Sequence, residues 1–161
     1  MKALVVYSSK TGNTRQLAET IHKGLPGTKT LATVEDAPPP EGYDWVAVGF
    51  WLRAGKPDPE AAAYLQRVGA RRLFLFATHG AEAESAHVQK ALALARELAP
   101  QAALVGSFAC PGEVNPKHLE IARHMKGEVA AWRTGAEEAV GRPNAADLQA
   151  LGEALERALQ K

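Results

Sequence analysis

The sequence predicts a three-layer α/β fold, a parallel sheet covered by helices on both faces. Three observations predict it. Short apolar runs of strand length alternate with helical patterns along the whole chain. The runs are apolar throughout rather than every second residue, which suits strands buried on both faces. Turn and cap residues punctuate the joins.

The first strand is Leu4–Tyr7. From Asn13 a helix follows with Leu17, Ala18 and Ile21 on one face, and Gly24-Leu25-Pro26-Gly27 ends it. Thr30–Val34 reads as a second strand, and the three prolines 38–40 after it forbid a helix interior, so the link to the next strand is extended. Trp45–Phe50 is the third strand. Pro59 opens a helix carrying Ala62, Leu65 and Val68. Arg72–Thr78 is the fourth and clearest strand, followed by a helix over 83–98 with Val88, Ala91, Leu92 and Ala95 on its apolar side, stopped by Pro100. Ala102–Phe108 is the fifth strand. Asn115-Pro116 starts a short helix holding Leu119 and Ile121, and Asn144 caps a last helix with Leu148, Leu151, Leu155 and Leu159.

Composition bounds the rest. The 161 residues suit a single domain, 1–161, which buries enough surface to need no metal or disulfide. Nineteen basic against eighteen acidic residues leave a formal charge of +1, without the footprint of a dedicated nucleic-acid binder. One cysteine makes neither an internal disulfide nor a Cys-rich zinc site. The opening apolar run is too short for a signal-peptide core or a membrane span, so the expectation is a cytoplasmic protein with no membrane partner.

In an open parallel sheet, ligands bind beyond the carboxyl ends of the strands. The segments to read are therefore 8–14, 50–57, 78–85 and 110–114. Ser8-Ser9-Lys10-Thr11-Gly12-Asn13-Thr14 packs hydroxyls, an amide and a glycine between a buried strand and a helix start. Hydroxyls and successive backbone N–H groups there surround a phosphate, helped by the helix dipole. An N-cap and a polar loop would account for one or two of these residues, not for seven in a row. The nucleotide P-loop pattern and the Gly-x-Gly-x-x-Gly dinucleotide fingerprint are both absent. So is the Gly-x-Ser-x-Gly nucleophile elbow.

Leu4 to Thr14, with Ala18 and Ile21 behind it, resembles the flavodoxin signature. The resemblance implies a five-stranded sheet of order 2-1-3-4-5 and an FMN cofactor whose phosphate is wrapped by Ser8, Ser9, Lys10, Thr11, Gly12, Asn13 and Thr14. It also implies electron transfer with redox partner proteins. The helix usual between strands two and three looks reduced or missing. Gly49-Phe50-Trp51 and the stretch 106–112 resemble a shorter flavodoxin-like family.

Under that resemblance Trp51, flanked by Phe50 and Leu52, stacks on the isoalloxazine, although Phe50 also fits a strand end inside the core. Thr78, His79, Gly80 and Ala81 resemble the loop whose backbone meets the flavin's pyrimidine edge. His79 reads more readily as a solvent-facing loop histidine than as a proton carrier. Cys110, at the end of strand five, is either flavin-proximal or a buried inert thiol. Trp45 and Trp132 lie away from strand ends and are read as packing residues. Many flavodoxins cover the outer flavin face with a Tyr, but no aromatic residue lies between Phe76 and Phe108. An FMN-dependent reductase of a small molecule such as a quinone is the alternative to an electron carrier. No side chain is assigned an acid or base role. The balanced charge, with Lys10, Arg15 and Arg53 near the site, predicts a less negative low-potential flavin couple than in an acidic flavodoxin.

Overall fold

A computed structural model describes residues 1–80, 86–124 and 129–161, apart from the side chains of residues 122 and 129–133. Five long parallel strands form the sheet: β1 Lys2–Tyr7, β2 Thr28–Thr33, β3 Trp45–Arg53, β5 Arg72–His79 and β6 Ala103–Pro111. Their order is β2-β1-β3-β5-β6, the 2-1-3-4-5 order expected. A sixth, two-residue strand, β4 Lys56–Pro57, pairs antiparallel with the end of β3. The Ala54-Gly55 turn between them holds both residues at positive φ, 51° and 74°. This is the geometry of a tight two-residue hairpin.

β1, β3 and β5 carry the centre of the sheet, and side chains on both of their faces are buried. On one face Val5, Trp45, Ala47, Phe74 and Phe76 pack against α1 Asn13–Gly24 and α6 Ala145–Leu159. Trp45 and Phe74 stack there with ring centroids 5.8 Å apart. On the other face Leu4, Val6, Val46, Val48 and Leu75 meet α2 Pro59–Leu65 and residues of α3 Ala86–Leu98. Each large aliphatic or aromatic group buried this way contributes about 1.5–3 kcal/mol, so the two clusters dominate the stability.

No helix joins β2 to β3. Val34, Ala37 and Tyr43 cover that part of the second cluster instead. Tyr64 holds the segment down, its hydroxyl donating to the carbonyl of Pro38 at 2.9 Å. Burial pushes that phenol up to about 12.

Several elements differ from the sequence reading or extend it. β3 and β6 run three residues beyond their expected ends, and the hairpin strand β4 was not foreseen. α3 is described over Ala86–Leu98, and the expected start at 83 lies outside the described residues. Within α4 Pro116–Arg123, Leu119 is buried but Ile121 is 61% exposed. A further helix, α5 Val129–Glu138, follows α4, and the side chain of Trp132 on it lies outside the described residues.

Candidate functional site

The carboxyl edge of the sheet carries the site. The loop after β1 leads into α1 through Gly12, whose φ of +89° is left-handed backbone that favours glycine. Ser9 Oγ accepts from the Gly12 N–H at 3.1 Å and fixes the loop's curl. α1 has no side-chain cap and no acidic residue in its first turn. Among the described residues none accepts a hydrogen bond from the amides of Asn13, Thr14 or Arg15. A helix start with open amides and no carboxylate favours an anion.

Asn13 and Thr14 border a cleft of about 350 Å³. Lys10, Thr11, Asn13 and Thr14 line it on one side, Trp51 and Leu52 on a second, and Thr78, His79 and Gly80 on a third. The wall is completed by Gly112, Glu113, Val114, Asn115 and His118. The Thr14 and Thr78 hydroxyls share a buried hydrogen bond of 2.9 Å, which ties the first turn of α1 to the end of β5. Asn13 Nδ2 donates to the carbonyl of Glu113 at 2.8 Å, joining the β1 loop to the loop after β6. Gly112 allows that approach, because a Cβ there would sit 2.7 Å from Asn13 Nδ2.

Trp51 is held by its backbone. Its N–H donates to Asp58 Oδ2 at 3.4 Å, and its carbonyl accepts from the Asp58 N–H at 3.1 Å. Asp58 is 1% exposed, and its other oxygen caps α2 by accepting from Ala61 N at 3.2 Å. One carboxylate thus fixes both the aromatic wall and the helix behind it.

The structure gathers most of the expected residues. Lys10, Thr11, Asn13, Thr14, Trp51, Leu52, Thr78, His79 and Gly80 share the cleft. Ser8 and Ser9 line an adjoining recess with Lys10 and Trp51. Gly12 shapes the loop without lining the cleft. Burial decides three residues: Phe50 and Cys110 take the buried alternative that the sequence offered, and His79 departs from its expected solvent-facing place. Phe50 is fully buried in the second cluster, since strand alternation turns it away from its neighbour Trp51. Cys110 packs in the first cluster beneath the cleft floor, where burial pushes its thiol up to about 12. His79 is not a solvent-facing histidine: it is 5% exposed and forms part of the wall. Ala81 lies outside the described residues.

The sequence reading missed Asn115 and His118 as cleft residues. Residues 112–114 belong to a strand-end segment that the sequence singles out, but nothing in it signals that Asn115 and His118 of the α4 start also line the cleft. That placement comes from tertiary contacts between loops about 100 residues apart.

The donor set fits a phosphate bound to a flat, largely apolar ring. Open amides and hydroxyls line the same cleft as an indole and the Leu52 side chain. The profile of the Flavodoxin domain family matches residues 4–156. Two curated relatives are flavodoxin-like domain-containing proteins BilS. The one from Clostridioides difficile is 30% identical over 119 residues, covering 71% of this chain and 68% of the relative. The one from Clostridium symbiosum is 33% identical over 143 residues, covering 78% and 75%. Among solved structures, oxidised flavodoxin 2 from Bacillus cereus superposes with a TM-score of 0.67 over 99% of both chains, at 15% identity. Fold, cleft and family profile agree, and the chain belongs to the flavodoxin domain family, with FMN as the cofactor its cleft fits.

Proposed function

We propose that this protein is an FMN-dependent electron carrier between redox partner proteins. The observation that carries the proposal is the uncapped start of α1, with no carboxylate in its first turn, facing a cleft that also presents Trp51. Bound FMN supplies the redox chemistry, accepting electrons from one partner and passing them to another. The chain's own residues bind, orient and shield. The amides of Asn13, Thr14 and Arg15 with the Thr11 hydroxyl hold the phosphate. Trp51 excludes water from one ring face, and the backbone of Thr78 to Gly80 approaches the ring edge. No described side chain need move a proton for one-electron transfer.

A second reading, reduction of a small molecule such as a quinone, is favoured by one observation. No aromatic residue lies between Phe76 and Phe108 in the sequence, so the loop after β5 brings no such side chain to cover the outer face of the ring. Holoprotein reduced with dithionite separates the readings. A carrier passes its electrons to cytochrome c and fails to consume NADH or NADPH when given a quinone. Steady NADH or NADPH oxidation by the protein alone would replace the carrier with the reductase.

A further inference from the structure

Glu113 puts an acidic residue on the wall of a cleft built for an anion, where like charge works against the ligand. Its contacts give the reason. Glu113 Oε2 accepts from Gly141 N at 3.3 Å, and Glu113 N donates to the carbonyl of Arg142 at 2.8 Å. Both partners sit in the turn between α5 and α6, where Gly141 has a φ of +75°. The neighbouring Gly112 N donates to the carbonyl of His79, at the end of β5, at 2.9 Å. The loop after β6 is thus pinned from two sides, and the Glu113 carbonyl is presented to the loop after β1.

The Asn13 side chain receives it. A carbonyl only accepts, so the amide nitrogen of Asn13, and not its oxygen, must face Glu113. Asn13 Nδ2 has two hydrogens and two acceptors, Glu113 O at 2.8 Å and Thr11 Oγ1 at 3.1 Å. No side-chain donor of Asn13 is left for a phosphate, so what Asn13 offers an anion is its backbone N–H. Thr11 Oγ1 makes no other hydrogen bond among the described residues. Because it accepts from Asn13, it keeps its own proton for a ligand in the cleft it lines.

We propose that Glu113 is a positioning residue of the phosphate site. Its carbonyl fixes Asn13, and Asn13 in turn presents the Thr11 hydroxyl to the ligand as a donor. The inference rests on the FMN reading above. Neither the Glu113 carboxylate nor the Asn13 side chain touches the phosphate. The carboxylate holds the loop at Gly141, a task that needs an acceptor oxygen and no charge.

Fluorescence titrations with FMN and with riboflavin, which lacks the phosphate, test the proposal. They compare wild type, Glu113→Ala, Glu113→Gln and Asn13→Ala, each alone and combined with Thr11→Val. The preference for FMN over riboflavin is the readout, since a merely loosened cleft weakens both flavins and leaves their ratio alone. The expected ratio is about two- to tenfold lower in E113A and N13A, the worth of one hydrogen bond. E113Q keeps the wild-type ratio, because a Gln oxygen still accepts from Gly141 N. With Thr11→Val in place the ratio is already low, and E113A or N13A lowers it no further. A wild-type ratio in E113A overturns the proposal, as does E113Q falling as far as E113A. A further full drop from N13A in the Thr11→Val background also overturns it, and makes Asn13 a direct phosphate ligand. Higher FMN affinity in both E113A and E113Q does the same, and leaves Glu113 as a repelling charge. If wild type itself binds no FMN, the FMN reading fails first, and the wild-type titration identifies that outcome separately.

Discussion

Asp58 shows how one buried side chain supports both fold and site. Its two oxygens accept from Ala61 N and Trp51 N, so truncation removes the α2 cap and frees the end of β3 together. Asp58→Ala is expected to cost about 1–2 kcal/mol in a urea melt, the usual range for a lost N-cap. It should also weaken FMN binding, because the indole is no longer fixed. Wild-type affinity in a destabilised D58A protein would show that Trp51 needs no such anchor. Cys110 makes the complementary case of a side chain near a site and outside it. With its thiol raised to about 12 by burial, it stays protonated at neutral pH. A thiol-reactive chromogenic disulfide should leave native protein unmodified and label one cysteine per chain after denaturation. Rapid labelling of the native protein would contradict its place in the core.

At the scale of elements, α6 carries the clearest pH signature. Asn144 and Asp147 form a reciprocal capping box, Asp147 N donating to Asn144 Oδ1 and Asn144 N to Asp147 Oδ2. Arg142 also binds both Asp147 oxygens. The Arg142 guanidinium holds the Asp147 carboxyl below the ordinary carboxylate range, against the opposing effect of burial. A depressed folded-state value means stability present above the unfolded value of about 3.9 and lost as pH falls through the folded one. Thermal melts across the acid range should therefore decline less steeply for Asp147→Asn than for wild type, with D147N less stable at neutral pH. Parallel curves would show that the pair contributes nothing to acid stability. The Asn144 half of this cap was readable in the sequence, because Asn144 stands just before an apolar helical pattern; its partner Asp147 was not read there. The β3–β4 hairpin was not readable. Its turn places Ala54 at positive φ, where local preference would ask for Gly or Asn, so tertiary packing overrides the local signal. The β1 loop was legible because its chemistry is contiguous in the chain. His118 was hidden because it enters the cleft only through the docking of the β6–α4 loop onto Asn13.

For the whole molecule, the strand order could be expected only because the phosphate-loop signature resembled a known family, since periodicity by itself identifies strands without ordering them. The order observed puts β1 and β3 side by side, with β5 next to β3. That brings Thr11 in the loop after β1 and the strand ends bearing Trp51 and Thr78 to one edge. The absent helix between β2 and β3 leaves the extended segment held by Tyr64, without disturbing that convergence. The same sheet edge unites an anion-seeking helix start with an aromatic wall, and the central claim is that FMN binds where they meet. Titration of purified apoprotein with FMN tests it most directly, followed by flavin fluorescence and visible absorption. The account predicts saturable quenching at one FMN per chain with shifted flavin bands, and a weaker response to riboflavin, which lacks the phosphate. Unquenched fluorescence and unshifted bands at micromolar protein would contradict it.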